Sequence, residues 1–327
     1  MRAIVITESG GPEVLRFRTD QPAPLVSETE IAVDVASIGV NFIDIAHRDG
    51  IFPVPLPFVP GVEAAGTVAA VGTAVDTVAV GDRVAWAMPR DIAQAGGGYA
   101  ERTVIPADRA IPVPGDLDID TAAAGLMHGL TAHYLTSSVY PVRPGDTVLV
   151  HAAAGGLGLM LTQVVKLLGG KVIGTTSTSD KAKFARRAGA DEVIGYHEVP
   201  ARVHELTGGV GVAAVYDGIG GPTFDDSLAS LRRRGTLALV GGAGGPVPPL
   251  DLTRLLTGGS LRVTRPGIGD FIADPAELST RATEVFDWLR HGKLTIHIGG
   301  NYSLADAAQA HRDLHARHTT GKLVLRP

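Results

Sequence analysis

The stretch from Thr147 to Lys166 restricts the fold of this chain more than any other segment. Three β-branched residues in the uncharged run Thr147–Val150 lead into Ala153-Ala154-Gly155-Gly156-Leu157-Gly158, and apolar residues at helical spacing follow. Against a G-x-G-x-x-G template, Ala153 replaces the first glycine, while Gly155 and Gly158 hold the second and third. The second lets backbone approach a pyrophosphate closely, and the third lets helix and strand pack. The helix start then offers N–H groups and partial positive charge to phosphate oxygens. A strand signal at Lys171–Thr175 stands where a βαβ unit needs it, so the segment predicts a dinucleotide site and not merely a tight turn.

The end of that second strand bears on which dinucleotide. NAD-binding chains place an acid there, about 20 residues after the loop, against the ribose 2′-hydroxyl. Here the run is Gly174-Thr175-Thr176-Ser177-Thr178-Ser179, with no carboxylate before Asp180. Hydroxyls followed by Lys181 suit a 2′-phosphate, which a carboxylate would repel. Asp180 reads more simply as an N-cap or first-turn acid. The expectation is NADPH.

Around this unit the chain has two regimes. From about Asp120, uncharged strand signals at Thr147–Val150, Lys171–Thr175, Glu192–Ile194, Ala213–Tyr216 and Leu237–Val240 alternate with helical runs, the pattern of a covered parallel sheet. Before that, short strands are broken by turn residues, among them Pro22, Pro24, Gly50 and the Pro53/Pro55/Pro57/Pro60 cluster, as in a mainly β, barrel-like domain. Asp274-Pro275 opens a late helix, another starts at Ser303, and a closing strand, Leu323–Leu325, is expected to return to the first domain. The fold class is α/β.

Composition narrows the function. There is no cysteine, so disulfides and thiolate metal sites are excluded. The 34 acidic and 29 basic side chains leave a net charge of −5, against dedicated nucleic-acid or anionic-membrane binding. Thr147–Val165 lacks charge over a membrane-like length, but Gly155, Gly156 and Gly158 cut it in two. With no secretory leader pattern after Met1, a cytoplasmic protein is expected.

Several segments in order resemble the medium-chain dehydrogenase/reductase superfamily, in its zinc-free quinone oxidoreductase, zeta-crystallin-like branch. They are Asn41-Phe42-Ile43-Asp44, Pro60-Gly61-Val62-Glu63-Ala64-Ala65-Gly66, Gly81-Asp82-Arg83-Val84, Gly129-Leu130-Thr131-Ala132, the glycine loop from His151, Val215-Tyr216-Asp217 and Thr264-Arg265-Pro266. The resemblance implies a GroES-like catalytic domain from residues 1–123 and 268–327, and a Rossmann NADPH-binding domain over 124–267. It further implies a homodimer with the cofactor in the cleft. By the same resemblance Gly155, Gly156, Leu157 and Gly158 meet the pyrophosphate, and Ser177, Lys181 and Tyr196 form the 2′-phosphate set. Thr131, Gly241 and Gly242 line the cofactor, Asn41 faces the nicotinamide, and Arg317 lies at the rim. Zinc-dependent relatives carry histidine where Val62 stands, and Val62 has no lone pair to donate, so no metal is expected. Close relatives have tyrosines where this chain has Ala46 and Phe52, which implies a roomier, more apolar acceptor pocket.

The positioning candidates for catalysis are Asn41, Asp44, Thr131 and Arg265. Asn41 and Asp44 equally fit capping of a helix from Phe42, and Arg265 equally fits an interdomain salt bridge. His311, His315 and His318 share a helical face read as solvated and cationic, and Arg232-Arg233-Arg234 as the end of a helix. The expected activity is reduction of a quinone or α,β-unsaturated carbonyl by NADPH. An enoyl-thioester reductase is the alternative enzyme, and an NADPH-liganded RNA- or partner-binding protein the alternative from another class.

Overall fold

The computed structural model describes residues 1–88, 97–197 and 199–327. Among them the strands are, in chain order, β1 (Ala3–Val5), β2 (Arg16–Arg18), β3 (Glu30–Val40), β4 (Glu63–Val71), β5 (Arg83–Ala87), β6 (Arg102–Pro106), β7 (Ile111–Pro112), β8 (Thr147–Val150), β9 (Lys171–Thr175), β10 (Glu192–Ile194), β11 (Val212–Asp217), β12 (Leu231–Leu239), β13 (Arg262–Thr264), β14 (Ile298–Ser303) and β15 (Lys322–Arg326). They fall into two compact units. One comprises Met1–Leu130 with Phe271–Pro327, the other Thr131–Asp270.

The first unit is built on β3, which pairs antiparallel with β4, β6 and β15. The sheet order is β14-β15-β3-β4-β5-β7, with β6 added on β3. Leu323, Val324 and Leu325 lie opposite Val40, Gly39 and Ile38, so the closing strand does return to the N-terminal portion of the chain. Ile31, Val33, Ile38, Trp86, Tyr99 and Leu325 belong to its buried core. Asp274 caps the helix Pro275–Arg290 by accepting the Glu277 N–H at 3.2 Å. The last helix, Ala307–His315, begins later than Ser303, because a three-residue 3-10 turn over Leu304–Asp306 precedes it.

The second unit is a six-stranded parallel sheet in the order β10-β9-β8-β11-β12-β13. Every residue of β11 is buried, as an uncharged strand covered on both faces requires. The strand order reverses between β8 and β11, so a crevice for ligand is expected beyond the carboxyl end of β8. Arg232–Arg234 do not end a helix but form the beginning of β12. The short helix before them, Phe224–Ala229, has already stopped, and Arg232 turns its guanidinium to Tyr140 and Asp146. Among the described residues, no helix is long and apolar enough to cross a membrane.

Candidate functional site

β8 ends at Val150, and the chain turns through Ala152, whose φ of +51° is unusual for a residue with a side chain. The helix Gly156–Leu167 then starts from Gly155, an N-cap in extended conformation with no side-chain cap and no acid in the first turn. Its leading amides therefore have no capping side chain to satisfy them, as an anion-binding helix start requires. The two framework glycines differ in what demands them. A Cβ at Gly158 would stand 2.3 Å from the Ala152 carbonyl oxygen and 2.7 Å from Ala153 Cα, so packing excludes it. At Gly155 a Cβ would meet only the Ala152 oxygen, at 3.3 Å, and φ is an ordinary −75°. Packing thus demands a glycine more strictly at Gly158 than at Gly155, where a slight shift of one carbonyl would admit a Cβ.

Beneath the loop lies a buried chain of polar groups that sequence reasoning missed. Asp217, at the end of β11, accepts the N–H groups of Ile219 and Gly220 and the hydroxyls of Thr223 and Ser227. His151 reaches Ser227 Oγ through Nε2 and Thr175 Oγ1 through Nδ1, each at 3.0 Å. Burial holds its imidazole below the ordinary range, against the opposing charge of Asp217. The signal in sequence was a histidine ending an otherwise apolar strand.

Ile194 lies opposite Thr175 in the β9–β10 register, so Ser177 and Tyr196 each stand two residues beyond a paired position. Ser177 is exposed and Lys181 half-buried, with partial burial lowering the pKa of its ammonium. Thr178 caps the following helix by accepting the Lys181 N–H at 3.2 Å, and Asp180 stands in its first turn as the acid expected there. Asp180 is exposed and paired with Lys183 at 2.7 Å. The Tyr196 hydroxyl accepts the Ala152 N–H at 3.1 Å. Gly241 and Gly242 follow β12, and a Cβ on Gly242 would lie 3.8 Å from the exposed Arg265 guanidinium. Thr131 is buried in the helix Ile119–Tyr134.

Asn41, Asp44 and Arg317 belong to the other unit. Asn41 gives its amide hydrogens to the Gly39 carbonyl at 3.1 Å and Glu63 at 3.0 Å, and its Oδ1 accepts from Lys322 at 2.7 Å. Lys322 also donates to Glu63 at 2.6 Å, and Glu63 accepts the Met127 N–H at 2.6 Å. This ion pair is sealed, with side-chain exposures of 2% and 0%. Glu63 and Lys322 stand 259 residues apart, so no local pattern links them.

Asp44 is fully buried and accepts the N–H groups of Asn41 at 2.9 Å and Val62 at 3.1 Å. Burial outweighs these donors and pushes its carboxyl up to about 7. The Tyr99 hydroxyl donates to it at 3.4 Å. His311 Nε2 meets that hydroxyl at 2.9 Å, while Arg48 donates to Nδ1 at 3.2 Å. Arg48 thus fixes the tautomer, and burial beside this cation pushes His311 down to about 3. His311 accordingly does not share a solvated face with the exposed His315 and His318; it is a core residue. His128 is also driven well below its ordinary range, by burial and by Lys322. Arg317 is exposed, at φ +57° just past the last helix. Val62 is fully buried, and among the described residues no three His, Asp or Glu side chains converge to hold a metal.

Residues 27–115 match the model of the alcohol dehydrogenase GroES-like domain, and residues 156–285 that of zinc-binding dehydrogenase. A mycobacterial protein solved in complex with NADPH is 52% identical, with both chains fully covered and a TM-score of 0.95. The quinone oxidoreductase of Pseudomonas aeruginosa is 44% identical over 97% of each chain. A 2-haloacrylate reductase of a Burkholderia species is 39% identical, over 99% of this chain and 98% of the relative. The chain belongs to the medium-chain dehydrogenase/reductase superfamily, in its zinc-free quinone oxidoreductase branch.

Proposed function

We propose that the chain is an NADPH-dependent reductase that works without a metal on a quinone or an α,β-unsaturated carbonyl. The observation that carries this reading is the uncapped start of the helix Gly156–Leu167, whose leading amides no side chain satisfies. NADPH, when bound, supplies the hydride. Gly156, Leu157 and Gly158 would hold the pyrophosphate through their amides, with Gly241 and Gly242 leaving bare main chain along the same sheet edge. Ser177, Lys181 and Tyr196 would hold the 2′-phosphate, and the engagement of Asp180 with Lys183 supports that choice. In this reading Thr131–Asp270 is the NADPH domain and the other unit the catalytic one. Asn41, Thr131 and Arg265 would act as positioning residues, Asn41 with its amide locked by Glu63 and Lys322. Family resemblance supports a homodimer.

The acceptor class follows from charge. Val62 offers no lone pair and the chain has no cysteine, so no Lewis acid is provided to polarise a simple carbonyl. Quinones and conjugated enones spread the developing negative charge over their own π system. The protein then has only to hold donor and acceptor aligned and dry. The likeness to a 2-haloacrylate reductase supports an electron-poor alkene among the acceptors.

The test is an NADPH-oxidation screen over quinones, enones and enoyl thioesters, alongside binding of both coenzymes. NADPH is expected to bind about tenfold or more tightly than NADH, because a charge-assisted contact to phosphate is worth that much. Lys181→Ala should narrow the gap. Equal affinities, or turnover of thioesters alone, would reject the proposal.

A further inference from the structure

His151 is the one buried histidine at the sheet edge just described, and its surroundings determine where each of its protons goes. Four donors converge on Asp217, so the carboxylate only accepts, and Ser227 must direct its single hydroxyl hydrogen there, at 2.8 Å. Ser227 Oγ then accepts from His151 Nε2–H. On the other side, Nδ1 is left as an acceptor for the Thr175 hydroxyl, whose oxygen takes the Ala152 N–H at 3.3 Å. His151 is thus pinned as a neutral ring in a fixed plane, anchored to the ends of β9 and β11.

That plane serves a neighbour. The Tyr196 ring stacks on His151, with centroids 6.0 Å apart and 15° between the planes. The Tyr196 hydroxyl shares the same Ala152 N–H that Thr175 accepts. Tyr196 follows the short edge strand β10. The stack on His151 and the shared Ala152 amide both tie its side chain to the start of the glycine loop. Ser177 and Lys181 come from the adjoining end of β9.

We infer that His151 is a positioning residue for coenzyme discrimination: anchored through Ser227 to Asp217, it holds Tyr196 where the 2′-phosphate is bound. The inference rests on the NADPH reading above. The network lies under the residues for the 2′-phosphate, so its loss should act on NADPH and spare NADH, which lacks that group. General damage to the loop would weaken both coenzymes alike.

The experiment is fluorescence titration of the full chain with NADPH and with NADH, for the wild type, His151→Gln and Ser227→Ala. His151→Gln removes the ring under Tyr196 but keeps a neutral amide that can reach Ser227. Ser227→Ala keeps the ring and removes its anchor. In both, the NADPH-over-NADH preference is expected to fall about three- to tenfold, the equivalent of one ordinary hydrogen bond or stacking contact. NADH affinity should stay within about twofold, the reach of a change of a few tenths of a kcal/mol. Thermal unfolding reports whether each variant is folded, and Ser227→Ala decides the matter if His151→Gln is not. Weakening of both coenzymes by one factor, or an unchanged preference, overturns the inference while leaving the NADPH reading standing. A wild type that binds the two coenzymes equally overturns both.

Discussion

Lys322 and Glu63 illustrate how one residue can be costly alone and tolerable in company. Each would be strongly disfavoured as an isolated buried charge, and each is satisfied by the other and by Asn41, while Glu63 also accepts the Met127 N–H. Lys322→Met leaves Glu63 sealed with a carboxylate and no cation. Its loss should cost about 3–5 kcal/mol in urea unfolding. Pairing it with Glu63→Gln should recover most of that, and a double variant as unstable as the single would show that the pair is not the cause. His311 gives a test in pH. Its folded value of about 3 lies below the ordinary 6.5, so the unfolded chain takes up a proton first as acid is added. The stability contributed by the neutral ring is complete above pH 6.5 and drains away as pH falls toward 3. His311→Gln should flatten the acid side of the stability curve. An acid slope equal to that of the wild type would mean that this ring is not the titrating group.

At the scale of the element, the glycine loop separates two demands that the sequence motif merges. Gly158→Ala pushes a methyl into the backbone of Ala152 and Ala153, and should destabilise the fold by about 1–3 kcal/mol, as overpacking does. Gly155→Ala meets a single carbonyl at 3.3 Å, a tight contact that a shift of a few tenths of an ångström relieves, and should cost less stability than Gly158→Ala. It should nevertheless lose measurable NADPH binding. Coenzyme titration and denaturant melts on the two variants check this crossed pattern, and equal losses on both axes would collapse the distinction. The β12 start shows a limit of the same local reasoning. Three arginines before a glycine match a helix end, yet they lie within the strand Leu231–Leu239, which pairs with β11 at Leu231 and again from Thr236 onward.

For the molecule as a whole, the decisive expectation is indifference to metal. NADPH oxidation should survive exhaustive chelation at its full rate, measured before and after dialysis against a strong chelator. Loss of activity restored by zinc would overturn the mechanism. The doubly wound order of the second unit also accounts for the placement of the proposed cofactor residues along one sheet edge. The ends of β8, β9, β10 and β12 lie along one edge, so residues from His151 to Gly242 become neighbours.

The sequence alone determined the strand–loop–helix unit at Thr147–Lys166, the run of parallel strands after it and the absence of thiolate chemistry. All of these rest on local periodicity, turn chemistry or residue type, which a linear reading can measure. It left open what Asn41 and Asp44 do, misplaced His311 on a solvated face, and passed over Lys322, His151 and Asp217 as site residues. Asn41, His151, His311 and Lys322 take their roles from side chains 22 to 281 residues away, such as His311 on Arg48 or Lys322 on Asn41, and Asp44 and Asp217 take theirs from burial that no local pattern announces. Only tertiary structure decides such pairings, because burial makes each unpaired polar group expensive and the fold chooses which partner stands within reach.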